Sequence, residues 1–176
     1  MLFRSRGDEV VLDAGCGSGQ VTAKLATRLP RGRVIALDAS AAMLELARGA
    51  LAPFNDRIEF VQADLSAPLP PMPLLDAVLS TATFHWVSGH DGIFDRLASR
   101  MKPGAPLVAQ WGGAGNVSRV VDALAEVADE FDGISAWTGP WWFPSAEDVG
   151  AQLRAAGFVV DRKSTRLNSS HRCISY

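Results

Sequence analysis

Tyrosine is almost missing from this chain: its 176 residues hold one, Tyr176, at the last position. Cysteine occurs twice, at Cys16 and Cys173. Two are too few for a disulfide framework, so a reducing compartment and a cytoplasmic location are the expectation. Positive charge is not in excess: 17 Lys and Arg face 19 Asp and Glu, a formal charge of −2. That balance argues against nucleic acid or an anionic membrane as partner. No apolar run approaches the roughly 20 residues of a membrane-spanning helix. Leu2-Phe3 runs at once into the charged stretch Arg4–Glu9, which is no signal-peptide core. What is present is a chain of single-domain length, 48% hydrophobic, enough to bury a real core.

Alanine and glycine, 26 and 16 in number, fall entirely within residues 6–160 and are missing from Asp161 to Tyr176. A disordered polar tail is one reading of so sharp a break. Codons offer a second. Asp161–His171 back-translates in frame into a sequencing-library adapter, and Leu2–Ser5 into that adapter's complementary end. We therefore expect residues 1–5 and 161–176 to be adapter-derived, the latter disordered. Residues 6–160 are then the domain, trimmed at both ends. They hold 12 Lys and Arg against 18 Asp and Glu, a net charge of −6, and a single cysteine.

Within them, short apolar runs alternate with segments of helical period. Glu9–Ala14, Arg33–Asp38, Ile58–Val61, Leu74–Ser80 and Leu107–Trp111 read as buried strands. A sixth strand is expected to start at Phe158–Val160. Gln20–Leu29 carries Val21, Leu25, Ala26 and Leu29 on one helical face and stops at Pro30. Ser40 can cap a helix through Leu51, and further helices are expected around Ile93–Met101, over Val117–Phe131 and from Ser145 to Ala156. Gly157 is a natural helix end. Strands alternating with helices through short loops predict an α/β fold with a doubly wound, mostly parallel sheet, incomplete at its last strands.

In such a sheet the ligand crevice lies at the carboxyl ends of the strands. Asp13-Ala14-Gly15-Cys16-Gly17-Ser18-Gly19 follows the first strand and opens a helix, the context in which a glycine turn lets a ligand approach the backbone. Asp38 ends the second strand. It can accept hydrogen bonds from both ribose hydroxyls, or serve as a carboxylate at the next helix N-terminus. Asp64, after the third strand, can accept from an exocyclic adenine amine or simply close a loop turn. Thr81–Trp86 follows the fourth strand. Two cofactors suit this pattern, NAD(P) and S-adenosylmethionine. The dinucleotide fingerprint requires a third glycine where this chain has Gln20. Asp13 would repel a pyrophosphate but suits a cationic ammonium. Both points favour S-adenosylmethionine.

The segments Val11–Gly19, Val34–Leu44, Phe60–Leu65, Phe84–Val87 and Lys102–Leu107 together resemble the class I S-adenosylmethionine-dependent methyltransferases. Phe84–Val87 and the Trp-rich region after residue 110 look like the trans-aconitate methyltransferase branch of that family. The resemblance implies that Asp13, Ala14 and Gly15 hold the methionine end of the cofactor, with Cys16 a small residue in the turn. It implies close backbone approach at Gly17, ribose at Asp38, and Ala39 and Met43 against the adenine. It places Ala63, Asp64 and Leu65 at the adenine edge and Thr81 beside the methionine. Met43 lies on an apolar helix face and has a core role as its alternative.

The acceptor is expected to be a small molecule, with carboxylate O-methylation the leading case because a carboxylate needs no general base at neutral pH. Residues 6–160 lack the tyrosine of adenine-N6 enzymes, and their one cysteine lies in the glycine turn, unlike the nucleophile of cytosine-C5 enzymes. His85 and Trp86 fall where an acceptor would approach; a packed, hydrogen-bonded histidine is the alternative for His85. Trp137–Phe143 is a dense aromatic loop, either a lid or cover for the sheet. No metal site and no catalytic residue stand out. The rival readings are a cofactor-binding piece without turnover and an NAD-dependent oxidoreductase.

Overall fold

The computed structural model describes residues 5–87, 92–129, 139–160 and 171–173. Trp137, Phe131 and most of both termini lie outside these residues. Five parallel strands, β1 (Val10–Ala14), β2 (Arg33–Asp38), β3 (Ile58–Gln62), β4 (Ala77–Thr81) and β5 (Leu107–Trp111), stand in the order 3-2-1-4-5. A short antiparallel strand, β6 (His171–Cys173), closes the β5 edge.

The strand order reverses beside β1, which pairs with both β2 and β4. Alternate residues of the central strands face opposite layers, as the strand period of two requires. Val11, Val34, Ala36, Ala77, Leu79 and Val108 pack with Leu25, Ala26, Leu44, Ala47 and Leu51. These last residues belong to α1 (Gln20–Arg28) and α2 (Ala41–Leu51). Leu12, Ile35, Val78, Leu107 and Trp111 pack on the other face with residues of α3 (Ile93–Ala98) and α5 (Ala146–Ala155), among them Ile93, Phe94, Leu97, Val149 and Leu153. Ser40 and Ser145 cap α2 and α5 by accepting from Met43 N and Asp148 N, satisfying otherwise unpaired helix donors. A further helix, α4 (Ser118–Asp129), follows β5.

Three expectations need correction. Leu74–Asp76 is not strand: Leu74 is exposed, and Leu75 makes only an isolated bridge to Met101. Ala52–Arg57 and Phe84–Trp86 form 3-10 turns, too short to leave a periodic signature. Phe158–Val160 is not strand either. Gly157 (φ +89) and Phe158 end α5, with Phe158 N donating to Leu153 O at 2.9 Å. Finally, His171–Cys173 lie in the tail expected to be disordered, yet they pair with Trp111–Ala109. The edge of β5 presents unpaired backbone groups that any extended segment can meet.

Candidate cofactor and acceptor site

The turn between β1 and α1 sits at the switch point of the sheet. Gly15 takes φ +83, and a Cβ there would fall 2.2 Å from Thr83 Oγ1 and Cγ2, so only glycine fits. Its N–H donates to Leu37 O at 2.8 Å, and its carbonyl accepts from Thr83 Oγ1 at 3.2 Å. The ends of β1, β2 and β4 are thereby pinned around one peptide. Gly17, at φ +53, has no atom within 4 Å of where a Cβ would stand. Its backbone is bare toward a cavity of about 780 Å³.

That cavity runs along the carboxyl ends of β1, β2, β3 and β4. Of the residues expected to hold a cofactor, Gly15, Cys16, Gly17, Asp38, Ala39, Met43, Ala63, Asp64, Leu65 and Thr81 line it. Asp13 and Ala14 do not: both are fully buried beneath the turn. Ser18, Gln20, Val21, Leu37, Ser40, Ala82, Thr83 and Val87 also line the cavity; sequence reasoning placed Ser18, Ala82 and Thr83 in segments at the crevice but gave none of the eight a cofactor role of its own. Most are neighbours in sequence of a residue it did assign, and simple adjacency would have found them.

Each carboxylate has a defined setting. Asp38 accepts from Gly17 N at 2.8 Å through Oδ2 and from Ser40 N at 2.9 Å through Oδ1. It thus ties the glycine turn to the start of α2, and each oxygen keeps a lone pair for a further donor. Asp64 accepts from Ser66 N at 2.8 Å. That bond, with one from the Ser66 hydroxyl, holds its carboxyl below the usual range. Asp64 is therefore both a loop closer and part of the cavity wall. Met43 is 39% exposed and lines the cavity, so its core alternative is not what the structure places there.

Asp13 accepts from Thr22 Oγ1 at 2.6 Å, while its Oδ1 has no hydrogen-bond partner. Burial pushes its pKa up to about 6 against the opposing Thr22 bond, and the charge of Asp38 adds to the rise. An orphaned buried carboxylate oxygen under a ligand-facing turn is the setting a nearby cation would stabilise. Cys16 is pushed up to about 12 by burial and by the charges of Asp13 and Asp38. Its thiol stays protonated at neutral pH, which leaves it no nucleophilic role.

The opposite wall comes from the segment after β4. Ala82 takes φ +55, an uncommon conformation for a residue with a Cβ, and its N–H donates to Gln110 O at 2.7 Å. Thr81, Ala82, Thr83, Trp86 and Val87 line the cavity. Trp86 is 57% exposed. His85 is half-buried and is not part of the lining. Its Nδ1 accepts from Gly112 N at 3.4 Å and its carbonyl from Trp142 N at 2.9 Å. Burial lowers its pKa, so it is neutral near pH 7 with the proton on Nε2. This is the packed, hydrogen-bonded histidine of the alternative reading. Of the aromatic loop, Trp141 and Phe143 pack against Trp86 and His85. Among the described residues no group of side chains could hold a metal ion, and no helix is long and apolar enough to cross a membrane.

A parallel sheet with a glycine turn at its switch point, an acid after each of the next two strands and one cavity joining them defines a class. A family model described as a methyltransferase domain matches residues 11–104, more than half of the chain. The chain belongs to this methyltransferase domain family, and its fold is that of the class I S-adenosylmethionine-dependent methyltransferases. Among individual relatives, it is 43% identical over 101 residues to the trans-aconitate 2-methyltransferase of Paracidovorax citrulli. That match takes in 57% of this chain and 37% of that protein. It is 35% identical over 144 residues to the trans-aconitate 2-methyltransferase of Rhodopseudomonas palustris, 82% of this chain and 50% of that one. The chain thus spans half or less of the length of these relatives. A solved S-adenosylmethionine-dependent methyltransferase from Aquifex aeolicus shares the fold with a TM-score of 0.71 at 21% identity, covering 99% of this chain and 84% of that one. Family membership replaces the dinucleotide reading of the glycine turn.

Proposed function

We propose that this chain binds S-adenosylmethionine and directs its methyl group to a carboxylate oxygen of a small organic acid. The observation that carries the reading is the cavity bounded by the glycine turn, Asp38 and Asp64 on one side and by Thr81, Ala82, Thr83, Trp86 and Val87 on the other. Its volume of about 780 Å³ suits a nucleoside-sized cofactor with a small acceptor beside it. The names of the relatives point to trans-aconitate as the acceptor.

When bound, the cofactor supplies an electrophilic methyl group on a sulfonium. The chain's residues supply position. Gly17 gives close backbone approach, Asp38 accepts from the ribose, and Ala39, Met43, Asp64 and Leu65 flank the adenine. Asp13 sets a negative field beneath the methionine ammonium. Thr81 and Thr83, in the wall after β4, would position an acceptor carboxylate beside the bound cofactor's methyl group. No residue need take a proton, because a carboxylate is already ionised at neutral pH.

Titration calorimetry with S-adenosylmethionine and with NAD, followed by transfer of labelled methyl to trans-aconitate and a panel of other small acids, tests this. Binding of S-adenosylmethionine with labelled ester formed is the expected result. Binding of NAD alone would overturn the cofactor assignment. Tight cofactor binding without transfer to any acid would make this chain a cofactor-binding piece instead.

A further inference from the structure

Trp86 is a large aromatic left 57% exposed while bordering a cavity, and three other rings hold it there. Its ring lies 5.3 Å from His85 and 5.8 Å from Trp141, the latter edge-on. Phe143 stacks on His85 at 5.7 Å and on Trp141 at 5.9 Å, closing a circuit of four rings. The circuit is anchored to the sheet. Gly112, just past β5, donates to His85 Nδ1, and Trp142 N donates to His85 O. Phe143 fills the space a Cβ at Gly112 would occupy, 2.6 Å from it. The indole thus rests on His85 and Trp141 with more than half of its surface exposed, and it lines the cavity.

The rest of the wall says what such a platform is for. No lysine, arginine or histidine is among the described residues that line the cavity, and its two charged residues are Asp38 and Asp64. An acid entering here meets no cation on these residues. What it meets is a rigid aromatic surface beside the Thr81 and Thr83 hydroxyls. A flat, conjugated acceptor gains contact with an aromatic face that a puckered, saturated one does not.

We propose that Trp86 is a specificity-determining residue of the acceptor site: it selects a planar, unsaturated carboxylic acid by stacking on its exposed indole. This rests on the cofactor reading above. The contacts with His85 and Trp141 hold the indole beside the cavity, which lowers the side-chain freedom to be lost when the acceptor docks.

The test uses the full chain loaded with S-adenosylhomocysteine. Two probes are compared by calorimetry: trans-aconitate, and tricarballylate, which carries the same three carboxylates on a saturated backbone. The wild type is expected to bind trans-aconitate about fivefold more tightly, the scale of an aromatic contact. Trp86→Phe should keep most of that ratio and Trp86→Leu should bring it close to one, each measured on protein saturated with S-adenosylhomocysteine. A ratio unchanged in Trp86→Leu, or no discrimination in the wild type, overturns the proposal while leaving the cofactor reading intact. A wild type that does not bind S-adenosylhomocysteine overturns the cofactor reading, and this inference with it.

Discussion

Asp13 shows how much one buried side chain can report. It has no exposure, one oxygen bonded to Thr22 and the other without a partner. Its carboxyl, ordinarily near 3.8, is raised to about 6, so in the free protein it gains a proton as pH falls through about 6. A cofactor ammonium nearby favours the ionised form. Affinity for S-adenosylmethionine should therefore climb several-fold from pH 5 to pH 7 and level off above. Calorimetry across that range should show the climb. Adenosine, which has no ammonium, should show none of it, and Asp13→Asn should flatten the curve. An identical pH dependence for adenosine would remove Asp13 from this role. Asp38 makes a second residue-level case. Losing its acceptor oxygens removes hydrogen bonds to the ribose and frees Gly17 N and Ser40 N as well. Asp38→Ala should weaken cofactor binding by about 1–3 kcal/mol, the range for hydrogen bonds to a charged group. Unchanged affinity would take Asp38 out of the site.

Between elements, the informative contact is the one joining the turn after β1 to the segment after β4. Thr83 occupies the space beside Gly15 and donates to its carbonyl, so the cofactor wall and the acceptor wall are locked edge to edge. Gly15→Ala forces a Cβ into Thr83 at an unfavourable φ and should abolish cofactor binding and lower the melting temperature. Thr83→Val keeps the shape and loses only the hydroxyl. It should lower kcat by about tenfold through misalignment of donor and acceptor, with the KM for cofactor nearly unchanged, and Thr83→Ser should restore most of the rate. A loss confined to KM would mean that Thr83 only shapes the cofactor cradle. None of this was legible in the sequence, since the two residues lie 68 positions apart and neither breaks a local pattern. The parts that were legible share a physical cause. Strands such as Arg33–Asp38 are apolar on both faces because both faces are covered, and β2 and β4 end on residues that line the cavity, Asp38 and Thr81. Leu74–Asp76 misled for the same reason in reverse: apolar composition stood in for burial, yet Leu74 faces solvent. Phe158–Val160 looked like a strand because β-branched and aromatic residues favour both strands and buried helix stops.

At the scale of the whole molecule, the sheet and the site are separable. Every described residue lining the cavity falls between Gly15 and Val87, on the ends of β2 and β4, the first turns of α1 and α2, and the loops that follow β1, β2, β3 and β4. The far edge of the sheet is β5, whose outer side is covered by three residues of the chain's last segment, with Ala109, Gln110 and Trp111 opposite Cys173, Arg172 and His171. Main-chain pairing of this sort requires an extended partner and no particular side chains, which is why these three residues can serve. Removing residues 161–176 should leave S-adenosylhomocysteine affinity within about twofold, because the lining residues that touch β5, Thr81 and Ala82, meet it from the β4 side through Gln110 and not from the side that segment covers. It should also uncover the backbone groups of β5, a template for pairing with another copy. Light scattering at matched concentration should then show association that the full chain lacks. Loss of cofactor affinity on truncation would mean instead that the β5 edge and the cavity are coupled through the sheet.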